Sequence, residues 1–178
     1  MSKIYLLLFL VCSMLAGITP WASDKAHAGI IMTPPFADAT AHVIEGQAQV
    51  IDGDTIEIGH RQIKLAGIDA MELHQTCHRH GTEWSCGERA KAWLEHFINR
   101  SEVRCIRVGA EGFGHIVANC YNAANIPLAW AMVHWGLAID DRMYPPSFAR
   151  SERDAIAGKR GIWSGDFIEP VVWRRDGI

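Results

Sequence analysis

Short alternating runs of apolar and polar residues dominate the first half of the chain, and longer helical periods follow. Gln47–Ile51 and Thr55–Ile58 alternate with the two-residue period of a half-buried strand. They are joined through Asp52-Gly53-Asp54, an Asp-Gly turn of the kind that closes hairpins. Gly59-His60 marks a second turn, and Gln62–Ile68 a third strand. A polar stretch from Ala70 to Cys86 reads as a loop. In Gly87–Asn99 the residues Ala90, Trp93, Leu94 and Phe97 recur at helical spacing. Two further strands are expected at Glu102–Val108 and Ile116–Tyr121, separated by a glycine-rich turn. Ile126–Trp135 reads as a second helix, with Pro127 in its first turn and Gly136 at its end. A third is expected from a Ser147 cap to about Ala157. Ordered structure is expected from near Glu45. Five strands with three helices fit an α+β domain built on a small closed barrel, although periodicity alone does not select it over other α+β folds.

The ends change the picture. Lys3, the apolar run Ile4–Ala16 and Ala26-His27-Ala28 have the layout of a cleavable secretory leader, too short for a membrane span. The expected division is therefore a signal peptide at 1–28, a linker at 29–44, one domain at 45–165 and a C-terminal tail at 166–178, with Trp173-Arg174-Arg175 loose. The destination is secreted or periplasmic, with no stable membrane association after cleavage, and the mature protein is expected to be a monomer. Cys77, Cys86, Cys105 and Cys120 then lie in an oxidising compartment and read as two disulfides. Of three pairings, Cys77–Cys86 closes a local loop and Cys105–Cys120 joins neighbouring strands. Cys and His near residues 74–86 are also zinc-type ligands, but export favours the disulfide. The chain carries a net charge of −3, and residues 1–28 hold Lys3, Lys25 and Asp24, so the remainder is more acidic still. Such a balance excludes tight, unaided binding to a polyanion, which needs clustered cations.

The chemistry concentrates in two turns. Asp52, Asp54 and Asp69 sit at strand ends beside glycine and are hard-oxygen ligands suited to Ca²⁺ or Mg²⁺. Glu72 is placed to take a proton from an attacking water. Trp84, in the loop before the first helix, is the aromatic side chain best placed to stack on a ligand.

Val50-Ile51-Asp52-Gly53-Asp54-Thr55, Lys64-Leu65-Ala66-Gly67-Ile68-Asp69-Ala70-Met71-Glu72, Cys86-Gly87-Glu88-Arg89-Ala90 and Gly161-Ile162-Trp163 together resemble the ordered motifs of the staphylococcal-nuclease (thermonuclease) family. The resemblance implies a five-stranded OB-fold barrel with three helices and a calcium-dependent phosphodiesterase site acting on nucleic acid. It makes Asp54, Asp69 and the Ala70 carbonyl cation ligands, sets Asp52 behind them and makes Glu72 the general base. It also implies two departures. Lys64 and His115 stand where that family has arginines, so charge is kept without the planar fork at one and only partly kept at the other. Arg107, on another strand, is a candidate substitute, and His115 a candidate acid for the leaving oxygen. Reduced activity is therefore expected. The leader and cysteine-bearing loop also look similar to an exported subgroup associated with exopolysaccharide (succinoglycan) biosynthesis, which makes a polysaccharide-linked accessory role the alternative.

Overall fold

The computed structural model describes residues 43–110, 116–143 and 145–177. The expected signal peptide and most of the expected linker lie outside these residues. Ten strands and four helices follow in chain order: β1 (Val43–Gln47), β2 (Gln49–Val50), β3 (Thr55–Ile58), β4 (Arg61–Leu65), β5 (Ile68–Ala70), β6 (Cys77–Arg79), β7 (Thr82–Trp84), α1 (Cys86–Ile98), β8 (Glu102–Ala110), β9 (Ile116–Tyr121), α2 (Leu128–His134), β10 (Ala138–Asp140), α3 (Ala149–Ala157) and α4 (Pro170–Asp176).

The main sheet runs β1-β8-β9-β4-β3-β2. Its two edge strands are one extended segment interrupted at Ala48. The first part pairs with β8 and the second with β3, so this segment brings the two edges of the sheet together. Gly46 eases the closure, because a side chain there would stand 3.1 Å from Ile58 Cγ2. Counted this way, the sheet is the expected five-stranded, nearly closed OB-like barrel of an α+β protein. Each strand begins and ends within a few residues of its predicted span, although the first starts earlier, at Val43.

The barrel interior is made by the inward positions of the alternating runs. Ile56, Ile58, Ile63, Leu65, Val103 and Ala118 are buried there with Leu94 and Ile98 of α1 and Met132 of α2. Both expected disulfides are present. Cys105 and Cys120 face each other across β8 and β9, with Cα atoms 4.0 Å apart, and Cys77–Cys86 ties β6 to the start of α1. Two small sheets lie beside the barrel: the hairpin of β6 and β7, and β5 paired with β10.

Three expectations are corrected. The stretch from Ala70 to Cys86, expected as a loop, contains the hairpin of β6 and β7. Ser147 does not cap α3. Phe148 holds that position, and its N–H donates to Asp140 Oδ1; Ser147, one residue earlier, donates its hydroxyl to Asp140 Oδ2 and accepts from the Ala149 N–H at 3.4 Å, so a carboxylate from β10 organises the turn with it. The C-terminal residues form α4 rather than a loose tail. Pro170 sits in its first turn, Gly177 ends it in the left-handed region, and Pro170 is its one buried residue.

The Cys105–Cys120 bond closes a separation of 15 residues. Replacing both with alanine is expected to lower the unfolding free energy by ~3 kcal/mol, through a freer unfolded chain. Urea denaturation measures this, and an unchanged midpoint would contradict it.

Candidate functional site

The Asp52–Thr55 turn is fixed first by its own side chains. Asp52 Oδ1 accepts from the backbone N–H of Asp54 at 3.0 Å and of Thr55 at 2.8 Å. Asp52 is therefore occupied in holding the turn. Gly53 lets this turn lie flat on its neighbours. A Cβ there would stand 2.7 Å from Ala70 Cβ and 2.8 Å from Ala90 Cβ, so any larger residue pushes the turn away from both β5 and α1.

The result is a buried Asp54, 6% exposed. Its Oδ1 accepts from the Thr55 hydroxyl at 3.0 Å, and its Oδ2 from the Ala70 N–H at 2.9 Å. Asp69, 7% exposed, comes from β5. That strand is held against β10 with Asp69 opposite Ile139. Lys64 reaches between the two acids from β4, with Nζ 3.9 Å from Asp54 Oδ2 and 3.9 Å from Asp69 Oδ1. Burial is the main reason that the Asp54 carboxyl is pushed from its ordinary 3.8 up to about 7; Lys64 opposes this, and Asp52 adds to it.

Glu72 is positioned by backbone rather than by packing of its side chain. Its N–H donates to Gln75 Oε1 at 3.1 Å, and its carbonyl accepts from the Gln75 N–H at 2.8 Å. Gly87, at the start of α1, lies so close to the Glu72 carbonyl that a Cβ would overlap it. The fully buried Gln75 also donates through Nε2 to the Ile168 carbonyl at 2.6 Å, which ties the Glu72 loop to the segment leading into α4.

That tether brings in a residue expected in a loose tail. Arg174, on α4, places its guanidinium across the acids. Nη1 donates to Asp69 Oδ1 at 2.8 Å and to Glu72 Oε1 at 2.5 Å, and Nη2 donates to Asp69 Oδ2 at 2.9 Å. Its pKa is driven well above the ordinary arginine value, chiefly by the hydrogen bonds to Asp69. Lys64, Asp69, Asp140, Asp141 and Arg174 line one open cleft of about 530 Å³.

The other predicted residues fall elsewhere. Arg107 is exposed on β8, donates to the Gly109 carbonyl at 3.2 Å and is not among the residues that line the acidic cleft. Trp84, on β7, has Arg79 5.8 Å from its ring centre and lines a separate hollow with Trp93 and Trp135, which shares no lining residue with the acidic cleft. His115 lies outside the described residues. Cys77 and Cys86 are joined in their disulfide.

The cleft's donors are of the right kind for a hard cation, which takes six to eight oxygens. Their present partners do not leave room for one. Both Asp69 oxygens face Arg174, both Asp54 oxygens accept from protein donors, and among the described residues no group of three or more His, Cys, Asp or Glu converges as a cation site. The arrangement is a cluster of acids neutralised from within.

The pH dependence of stability follows from Asp54. The folded protein holds its proton more tightly than the unfolded chain does, so the stability that this gives is complete below about pH 4 and is lost as pH rises towards 7. In chelator, Asp54→Asn is expected to gain on the parent across that window. The gap should reach a few kcal/mol, at ~1.4 kcal/mol per tenfold change in proton affinity. Parallel urea midpoints at pH about 4 and about 7 would contradict the assignment.

Comparison with known proteins bears on the domain and its fold. A family model described as "Staphylococcal nuclease homologue" matches residues 62–165, more than half of the chain. The chain is 33% identical over 126 residues to the succinoglycan biosynthesis protein ExoI of Rhizobium meliloti (strain 1021), covering 69% of this chain and 66% of that one. It is 27% identical over 166 residues to protein ParB of Escherichia coli, covering 83% and 85%. It is 32% identical over 118 residues to the probable staphylococcal-like nuclease CAN2 of Oryza sativa subsp. japonica, covering 65% of this chain and 29% of the plant protein. The chain thus spans just under two thirds of ExoI and less than a third of CAN2. On the matched domain and the barrel that carries it, the chain belongs to the staphylococcal nuclease homologue family.

Proposed function

We propose that this chain is an exported phosphodiester hydrolase of the staphylococcal-nuclease type, acting on nucleic acid with reduced turnover. The observation that carries the reading is the cluster of Asp54 and Asp69 about Lys64, whose Nζ lies 3.9 Å from each, with Glu72 joined to Asp69 through Arg174. The family is generally Ca²⁺-dependent. By the resemblance Asp54, Asp69 and the Ala70 backbone are the groups that would hold Ca²⁺, which would supply positive charge for a phosphoryl oxygen; here Lys64 and Arg174 lie against those carboxyls.

The chain's own residues account for the rest. Glu72, which shares Arg174 with Asp69, is the carboxylate that would take the proton of an attacking water. Lys64 offers charge to a phosphate oxygen but as a point rather than a planar fork. His115, outside the described residues, would by the resemblance supply a donor whose charge depends on pH near neutrality. Each substitution weakens the grip on the negative charge that develops during cleavage, where a single well-placed donor elsewhere is worth ~3–4 kcal/mol. The leader-like residues 1–28 and the two disulfides support an oxidising, extracytoplasmic location.

A second reading has its own support. The self-neutralised acids and the similarity to ExoI favour an accessory role in exopolysaccharide biosynthesis, in which polysaccharide rather than nucleic acid is the partner.

Purified protein is expected to release acid-soluble nucleotide from DNA or RNA in Ca²⁺ and to stop in chelator. Asp54→Ala should abolish the activity, and Lys64→Arg should raise it by about tenfold, a gain of ~1.4 kcal/mol in transition-state stabilisation. Full activity in chelator would remove the metal-dependent reading. No hydrolysis, together with measurable binding of an acidic oligosaccharide, would select the second one.

A further inference from the structure

We infer that the hollow walled by Trp84, Trp93 and Trp135 together with Arg79, Arg89 and Arg160 is a second binding site, built for one base-and-phosphate unit of a single-stranded nucleic acid. It shares no lining residue with the acidic cleft, and it stands whether or not that cleft cleaves anything.

Three stretches of chain meet at the hollow, and each is fastened. The Cys77–Cys86 disulfide ties the hairpin of β6 and β7, which carries Arg79 and Trp84, to the start of α1, which carries Arg89 and Trp93. The third wall lies where the end of α2 meets the turn at Gly161–Ser164. A Cβ on Gly136 would stand 2.2 Å from the Arg160 carbonyl oxygen, and one on Gly161 2.0 Å from that of Gly136. The Ile162 N–H donates to the Gly136 carbonyl at 2.9 Å. This close approach sets Trp135 and Arg160 in one wall. The hollow measures about 310 Å³, at the small end for ligand sites, which suits a single nucleotide and not a duplex.

Its charge runs against that of the chain. The net charge of the whole is −3, yet no Asp or Glu lines the hollow, and among the described residues none of its three arginines has an ion pair. Nε and Nη2 of Arg160 are buried without a hydrogen-bond partner. A guanidinium does not escape this cost by losing its proton, so an anion facing it is the remaining remedy. The flat surface is equally fixed. Trp93 and Trp135 stack with ring centres 5.7 Å apart and planes at 22°, Trp135 is 45% exposed, and Arg79 stands 5.8 Å from the centre of the Trp84 ring. Indoles held in place offer the apolar area on which a base stacks.

The lining also selects among anions. Its polar side-chain groups only donate: a guanidinium and an indole carry N–H groups and no acceptor. Phosphate diester oxygens only accept, and they match that set. Sugar hydroxyls both donate and accept, and their protons find no side-chain acceptor here. An acidic oligosaccharide therefore suits the arginines but not the rest of the lining.

The test reads fluorescence anisotropy of a labelled oligothymidylate about eight nucleotides long, in chelator so that hydrolysis does not enter. Arg89→Glu and Trp135→Ala alter exposed side chains of the hollow, and thermal melts establish folding. Arg153→Glu makes the same charge change on the exposed face of α3, outside the hollow. Arg89→Glu and Trp135→Ala are each expected to weaken binding about tenfold, and Arg89→Glu to make the loss of affinity with added salt less steep. Arg153→Glu should bind as the parent does. Equal weakening by Arg89→Glu and Arg153→Glu would reduce the effect to diffuse attraction and overturn the site, as would unchanged binding in Trp135→Ala. Tighter binding of oligogalacturonate than of oligothymidylate, lost in Arg89→Glu, would overturn the nucleic-acid occupant. Binding as expected, with no cleavage when Ca²⁺ is added, would remove the proposed function and leave this site standing; cleavage with binding unchanged in both hollow variants would do the reverse.

Discussion

The structure turns on one electrostatic problem: two buried carboxyls, Asp54 and Asp69, share one lysine, with the more exposed Glu72 joined to Asp69 through Arg174. Like charges at such distances raise one another's cost of ionisation, and burial adds to it. The protein meets this cost with two cations far apart in the chain, Lys64 on a barrel strand and Arg174 on the last helix. Asp54 nonetheless carries a strongly raised pKa, mainly because it is buried. The acids are held apart enough to fold yet close enough to act on one ligand, and most of the surrounding fold serves that balance.

The barrel supplies the rigidity. Asp52 ties off the turn before Asp54, Gly53 lets that turn press against β5 and α1, and β10 holds β5 from the other side. Gln75 does three jobs at once. It braces the Glu72 backbone, accepts the N–H of Gly87 at the start of α1, and anchors the approach to α4 through Ile168. The Cys77–Cys86 disulfide, next along the chain, keeps this loop short. A loop that looks irregular in sequence is therefore fastened at both ends and in its middle.

Much of this was legible in the sequence because it is local. The Asp-Gly-Asp turn, the alternation of Thr55–Ile58 and the helical face through Ala90 and Leu94 depend on neighbours within one turn or two, and the strands and helices they predict are present. The disulfide partners were legible because loop closure and strand adjacency favour short separations. The role of Arg174 was not, because its partners lie 102 and 105 residues away. A signal for the helix itself was there: Pro170 near its start and Gly177 at its end are ordinary boundary residues. The pairing of β5 with β10 and the break of the first strand at Ala48 escape periodicity for a similar reason, since three-residue strands are too short to show a period.

The family's acids are thus kept, one arginine position holds a lysine, and a guanidinium enters the cleft from a different part of the fold. The direct test of this arrangement is the coupling between Asp69 and Arg174 in a double-mutant cycle of Asp69→Asn and Arg174→Ala, measured by urea unfolding in chelator at neutral pH. The account predicts a favourable coupling of about 1 kcal/mol or more. Additive effects, with the double variant equal to the sum of the singles within ~0.3 kcal/mol, would show that the two side chains do not act on each other and would contradict it.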